Sequence, residues 1–177
     1  MIEHKLNSVI REIPDFPKKG IKFKDITSLL LDYNLCENVL NHLVAKISDL
    51  KIDAVVGVES RGFLFGFALA NKLKVPFIPV RKSGKLPGET ISYKYDLEYG
   101  SSELEIHKND LKKDWNVLIH DDLLATGGTA VATSELIKKS GAQVSGFIFI
   151  VKLDYLKGEG KLRKYSKNIL GILNCRN

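Results

Sequence analysis

Two rhythms of apolar residues run along this chain. Leu6, Val9, Ile10 and Ile13 recur at helical spacing, which predicts a first amphipathic helix ending at Pro14. Leu35, Val39, Leu40, Leu43, Val44 and Ile47 repeat that spacing and predict a second helix. A different pattern follows. Residues 52–58 form a short continuous apolar run, then comes the turn Glu59-Ser60-Arg61-Gly62, and Phe63 to Lys72 reads as helical. Val75 to Arg81 is the next strand; Pro76 and Pro79 imply that part of it lies at an edge or a strand start. Val117 begins another apolar run, Thr129 to Lys139 reads as a helix stopped by Gly141, and Gln143 to Leu153 is a further buried strand. Asp154 to Tyr165 reads as polar loop and Ile169 to Leu173 as a short last strand. Strands alternating with helices predict an α/β fold, an open and mostly parallel twisted sheet flanked by helices. Residues 83–109 interrupt the alternation. Thr90 to Leu97 and Glu103 to His107 predict an inserted antiparallel hairpin, placed as a lid would be.

The candidate chemistry lies where the run from Val117 ends, in H-D-D-L-L-A-T-G-G-T at 120–129. Ligands bind at the carboxyl ends of the strands in such sheets. The turn Ala125-Thr126-Gly127-Gly128-Thr129 offers backbone N–H groups at the positive end of a helix, a cradle for phosphate. Asp121 and Asp122 offer acceptors suited to vicinal ribose hydroxyls, so a ribose 5-phosphate would satisfy both at once. The four residues T-G-G-T alone would be read better as a capped strand-to-helix turn, but all nine residues from Asp121 to Thr129 would not.

Composition narrows the class. The protein has 177 residues, 44% hydrophobic and 27% charged, ordinary for one globular domain. It opens on Met-Ile-Glu-His-Lys without an apolar signal core, and no apolar run reaches transmembrane length. A cytoplasmic protein without a membrane partner is the expectation. Cys36 and Cys175 lack metal spacing and are expected to be reduced thiols. The net charge of +6 comes from 22 lysines and five arginines scattered without a basic run, so no nucleic acid partner is expected.

With these segments in place, nearly the whole sequence resembles the adenine phosphoribosyltransferases, of the type I phosphoribosyltransferase family. The resemblance runs through F-P-x-x-G-I-x-F-x-D-I-T at 16–27, E-S-R-G-F-L-F-G at 59–66 and V-R-K-x-G-K-L-P-G at 80–88. It continues through Y-x-L-E-Y-G-x-x-x-L-E-I-H at 95–107 and D-D-L-L-A-T-G-G-T at 121–129, the signature for phosphoribosyl diphosphate (PRPP). It implies the reaction of adenine with PRPP to give AMP and pyrophosphate, Mg2+ carried on the PRPP with no metal ligand from the protein, and a homodimer. It implies one domain over 1–177, with a small N-terminal hood at about 1–34 and the lid at about 83–109.

The turn 125–129 would hold the 5-phosphate, with Asp121 and Asp122 facing the ribose. Glu59, Ser60, Arg61 and Gly62 would form a pyrophosphate loop with a cis bond between Glu59 and Ser60, and Arg81, Lys82 and Lys85 would add charge there. Glu98 of the lid would be the catalytic acid or base, with Tyr99 beside it. Phe23 would cover the base, and Lys22 and Lys24 would read it through their backbone. Two departures stand out: lysines at 22 and 24, and His120 where a small apolar residue is usual. His120 is expected to be packed or locally hydrogen-bonded. Two other readings keep the fold: a 6-oxopurine acceptor, or a PRPP-sensing regulator without catalysis.

Overall fold

The computed structural model describes residues 2–16, 19, 22–96 and 100–176. Its main sheet has seven strands. In sequence order they are β3 (Ala54–Val58), β4 (Phe77–Lys82), β5 (Thr90–Asp96), β6 (Ser101–His107), β7 (Asn116–Leu124), β8 (Gln143–Leu153) and β9 (Ile169–Cys175). Across the sheet the order is β5-β6-β4-β3-β7-β8-β9. The five strands from β4 across to β9 are parallel, and the β5–β6 hairpin joins antiparallel through Arg81↔Glu105 and Lys82↔Leu104.

Side chains alternate across this sheet, and each face has its own core. Val55, Leu118, Ile148 and Ile150 pack with α1 (Ile2–Val9), α2 (Tyr33–Lys46) and α3 (Gly62–Leu73). Val56, Ile119, Phe147 and Phe149 pack with α4 (Gly128–Lys139) and the hairpin. Each strand-to-helix turn therefore opens at one edge of the sheet, and the turns after β3 and β7 are neighbours because those strands pair directly.

Pro79 is accommodated as its sequence suggests. Pro76 and Val80 carbonyls accept from Val55 and Glu59 N–H groups, so the intervening Pro79 faces away from β3, where β6 pairs only from Arg81 onward.

Two expectations are corrected. The first helix ends at Val9, and Arg11–Pro14 is a strand, β1, paired antiparallel with β2 (Lys22–Asp25). Leu6 and Ile10 are buried, whereas Ile13, in the strand, is 39% exposed. Pro14 favours extended backbone at Ile13, and the cross-strand ion pairs of Glu12 with Lys22 and Lys24 suit the strand. The second correction is at residues 154–165, which are not simply loop. Asp154–Leu156 is a 3₁₀ turn, and α5 (Gly158–Leu162) is a short helix with Leu162 fully buried. No helix among the described residues is long and apolar enough to cross a membrane.

Candidate active site

The turn after β7 is built around Gly127, whose φ of 81° is a left-handed conformation that glycine adopts without steric cost. Helix α4 starts at Gly128, so the turn lies at its positive end. A cavity of about 80 Å³ is bounded by Asp121 and by the whole segment from Leu123 to Ala130, with Phe149. This turn has a partner that the sequence pattern did not single out. A Cβ on Gly127 would lie 2.8 Å from the Gly158 carbonyl oxygen, and one on Gly158 would lie 2.1 Å from the Ala125 oxygen. A side chain at 127 would therefore strike α5.

The turn after β3 contains a cis peptide between Glu59 and Ser60, as the resemblance implies. Arg61 Nε donates to Asp122 Oδ2 at 2.5 Å, and its guanidinium carbon lies 4.9 Å from the centre of the Phe23 ring. Arg61 thus joins the N-terminal segment to the sheet edge. Glu59 is held by Arg81, whose Nε and Nη2 donate to its two oxygens at 3.2 and 3.3 Å, and by the Lys82 N–H at 3.0 Å. Burial pushes the Glu59 carboxyl up, but the bonds from Arg81 and Lys82 outweigh it and hold the group below its ordinary value.

A second cavity, of about 560 Å³, is lined by Glu59, Ser60, Arg61, Lys82, Lys85, Asp121, Asp122, Leu123, Ala125 and Thr129. It brings together two turns and the β4 loop, which are separated by about twenty to sixty residues in sequence. Arg81 is engaged with Glu59 and with the Lys85 carbonyl at 3.0 Å and is not among these lining residues. The two acids differ. Asp122 is ion-paired with Arg61, whereas burial and the adjacent Asp122 charge push the Asp121 carboxyl well above its ordinary value.

Glu105 is a further member of the site that sequence reading missed. It is 5% exposed, and its Oε1 accepts from the Lys85 and Leu86 N–H groups, each at 2.8 Å. It fixes the loop that carries Lys85. The signal was present in L-E-I, a charged residue between two core residues of a strand, but the partners are about twenty residues away.

Lys22 and Lys24 turn their ammonium groups to Glu12, at 3.2 and 2.6 Å. Phe16 meets Phe23 edge-on at 5.1 Å. Glu98 and Tyr99 lie outside the described residues.

His120 is a packed residue. Its Nδ1 lies 2.9 Å from the Ile148 carbonyl oxygen, which can only accept, so Nδ1 carries the proton and Nε2 is left without a partner. Burial lowers its pKa to about 4 from an ordinary 6.5. A histidine lowered on folding takes up its proton more readily in the unfolded state. Its contribution to stability is complete above pH 6.5 and is lost as pH falls from 6.5 towards 4, by roughly 3 kcal/mol. Denaturant titrations over that window are expected to show this loss, and His120→Asn, which keeps a donor for Ile148, should flatten it. An equal slope in both proteins would remove His120 as its source.

The phosphoribosyl transferase domain model matches residues 27–174. An adenine phosphoribosyltransferase of Christiangramia forsetii is 54% identical over 160 residues, which cover 90% of this protein and 94% of the relative. The crystal structure of adenine phosphoribosyltransferase from Thermoanaerobacter pseudethanolicus superposes with a TM-score of 0.94 at 46% identity, covering 98% of this protein and 99% of that one. The enzyme from Saccharomyces cerevisiae, complexed with D-2,5-dideoxy-2,5-imino-altritol 1,6-bisphosphate and adenine, gives 0.90 at 40% identity, with 97% and 98% covered. Two adjoining strand-to-helix turns around one polar cavity, on a fold and a sequence shared nearly end to end with these proteins, place the protein in the adenine phosphoribosyltransferase family.

Proposed function

We propose that this protein transfers the 5-phosphoribosyl group of PRPP to adenine, giving AMP and pyrophosphate. The observation that carries the reading is the larger cavity, which is lined both by Ala125 and Thr129 of the Gly127 turn and by Ser60, Arg61, Lys82 and Lys85. Such a site suits a sugar with a phosphate at C5 and a diphosphate at C1. The N–H groups of 125–129 take the 5-phosphate, and Asp121 and Asp122 take the ribose hydroxyls. Backbone at Ser60 and the charges of Arg61, Lys82 and Lys85 take the diphosphate, with Arg81 acting from behind by fixing Glu59 and the Lys85 carbonyl.

In the reaction the C1–O bond to diphosphate breaks and the bond from adenine N9 to C1 forms. Charge develops on the departing oxygen while the ring becomes cationic, so fixed cations at one end and carboxylates beside the ring act where charge appears. Arg61 contributes by placement, because Asp122 and the Phe23 ring fix its guanidinium at the cavity.

Mg2+ belongs to this reading. Glu59 and Asp122 are already ion-paired, and among the described residues no three acidic, histidine or cysteine side chains stand together as ligands. The donor set therefore fits an ion that arrives on the diphosphate rather than one held by the protein's own side chains. Bound there, Mg2+ would neutralise leaving-group charge. A homodimer and a cytoplasmic location complete the proposal. Leu64 and Phe67, 43% and 59% exposed on α3, supply apolar surface for the homodimer.

The direct test is incubation with PRPP, Mg2+ and adenine. AMP and pyrophosphate are expected in equal amounts. No turnover, with PRPP still bound, would favour the sensing role. The phosphate turn has its own test. Gly127→Val forces a β-branched residue into left-handed backbone and against Gly158, at a cost of about 2 kcal/mol or more. The free turn relieves that strain by leaving the cradle conformation, which PRPP binding must restore, so calorimetry should show PRPP affinity reduced at least roughly 30-fold in the folded variant. Wild-type affinity would remove the turn from the phosphate site.

A further inference from the structure

Strand β5 runs along helix α4 and is tied to it at both ends. Near the helix C-terminus, Lys139 Nζ donates to the Ser92 carbonyl at 2.9 Å and lies 5.1 Å from the Tyr93 ring centre. At the N-terminus, the Tyr95 ring lies 3.8 Å from where a Cβ on Gly128 would stand, and its hydroxyl is 3.4 Å from Thr129 Oγ1. Thr129 lines both cavities, while Tyr95 lines neither. The lid glutamate, Glu98, follows Tyr95 by three residues. We infer that Tyr95 is a positioning residue that passes occupancy of the phosphate turn to the lid, through its hydroxyl contact with Thr129.

The inference rests on the reading of the 125–129 turn as a phosphate site, and it follows from counting protons. A hydroxyl has one proton to give and two lone pairs. Between Tyr95 and Thr129 either hydroxyl can be the donor, and their separation exceeds the roughly 2.5–3.0 Å of a well-formed O–H···O bond. A phosphate beside Thr129 can only accept. It takes the Thr129 proton, which leaves that oxygen as an acceptor, and Tyr95 O–H is the neighbour able to donate. The relay then runs in one direction, from Tyr95 to Thr129 to phosphate, and each bond polarises the next. A long, undirected contact becomes a directed one, and the end of β5 is drawn to α4. The ring packing on Gly128 would do none of this alone, because it carries no proton for phosphate to redirect.

Tyr95→Phe separates the two, since it keeps the ring and removes the proton. Ribose 5-phosphate is the probe, and hydrogen exchange of amides 94–104 is the readout, at saturating probe for each protein. In the wild-type protein the probe is expected to slow exchange in this segment. In Tyr95→Phe the slowing should shrink about fivefold, the worth of one neutral hydrogen bond, while inorganic pyrophosphate binds unchanged. The loss should also depend on its partner: in a Thr129→Val background, Tyr95→Phe should have no further effect. Equal slowing in wild-type and Tyr95→Phe proteins overturns the inference and leaves the phosphate site standing. Failure of the wild-type protein to bind ribose 5-phosphate would remove the phosphate reading, and this inference with it.

Discussion

With PRPP and Mg2+ saturating, kcat/KM for adenine is expected to exceed that for hypoxanthine or guanine by roughly 10⁴. Adenine presents a 6-amino donor beside the N1 acceptor, whereas the 6-oxopurines present an acceptor beside an N1 donor. A site complementary to one pattern is mismatched to the other at both atoms. Each buried group left facing its own kind costs on the order of 1 to 3 kcal/mol, and the two mismatches compound. The reading groups in our proposal are the backbone carbonyl and N–H groups near Phe23, which cannot rotate to suit another base. The lysine side chains are occupied elsewhere, because both ammonium groups turn to Glu12 on β1. Lys24→Met is therefore expected to retain the adenine preference, with Lys22 still paired to Glu12. Comparable activity on hypoxanthine would overturn adenine as the substrate, and a Lys24→Met enzyme that lost its preference would show that the side chain reads the base.

What the sequence disclosed and what it hid divide by range. The Gly127 turn, the cis turn at Glu59 and the helices behind them are local. Glycines after an apolar run ending in acids are visible within about a dozen residues, whereas the cis bond at Glu59 is implied by the resemblance alone and the left-handed φ of Gly127 is a finding of the structure. Parallel pairing of β3 with β7, which sets the two turns side by side, follows from alternating strands and helices as a class but not in its strand order. The hidden parts depend on contacts between distant segments. Gly158 sits in a stretch that reads as polar loop, and its role is evident only when its backbone lies against Ala125. Glu105 looks like a misplaced charge in a core strand until the Lys85 and Leu86 N–H groups are seen to meet it. Residues 10–13 failed for another reason. Ile10 and Ile13 keep helical spacing, and the pairing of β1 with β2, through Glu12 and two lysines, overrides it.

Glu98→Gln is expected to lower kcat by a factor of about 10² to 10⁴ while PRPP affinity stays near that of the wild-type protein. Adenine carries an N–H proton that AMP lacks, so a proton must leave the base as N9 bonds to C1. A carboxylate can take it; a carboxamide of the same shape cannot. The described residues on either side belong to the hairpin beside the phosphate turn. Asp96 and Ser101 face each other across the end of the hairpin, and Tyr95 contacts Thr129 at the mouth of the phosphate turn. In the proposed site PRPP is held by the turns and by Arg61, Lys82 and Lys85 before any proton moves, so the loss is expected in kcat rather than in binding. In the proposed reaction, closure over the base would also keep water from the cationic ring, and Glu98→Gln, which preserves the size of the side chain, would leave that function intact. Steady-state kinetics with adenine, paired with calorimetry for PRPP, separate the two effects. Wild-type turnover in Glu98→Gln would exclude Glu98 as the proton acceptor, and a parallel collapse of PRPP affinity would make it a binding residue instead.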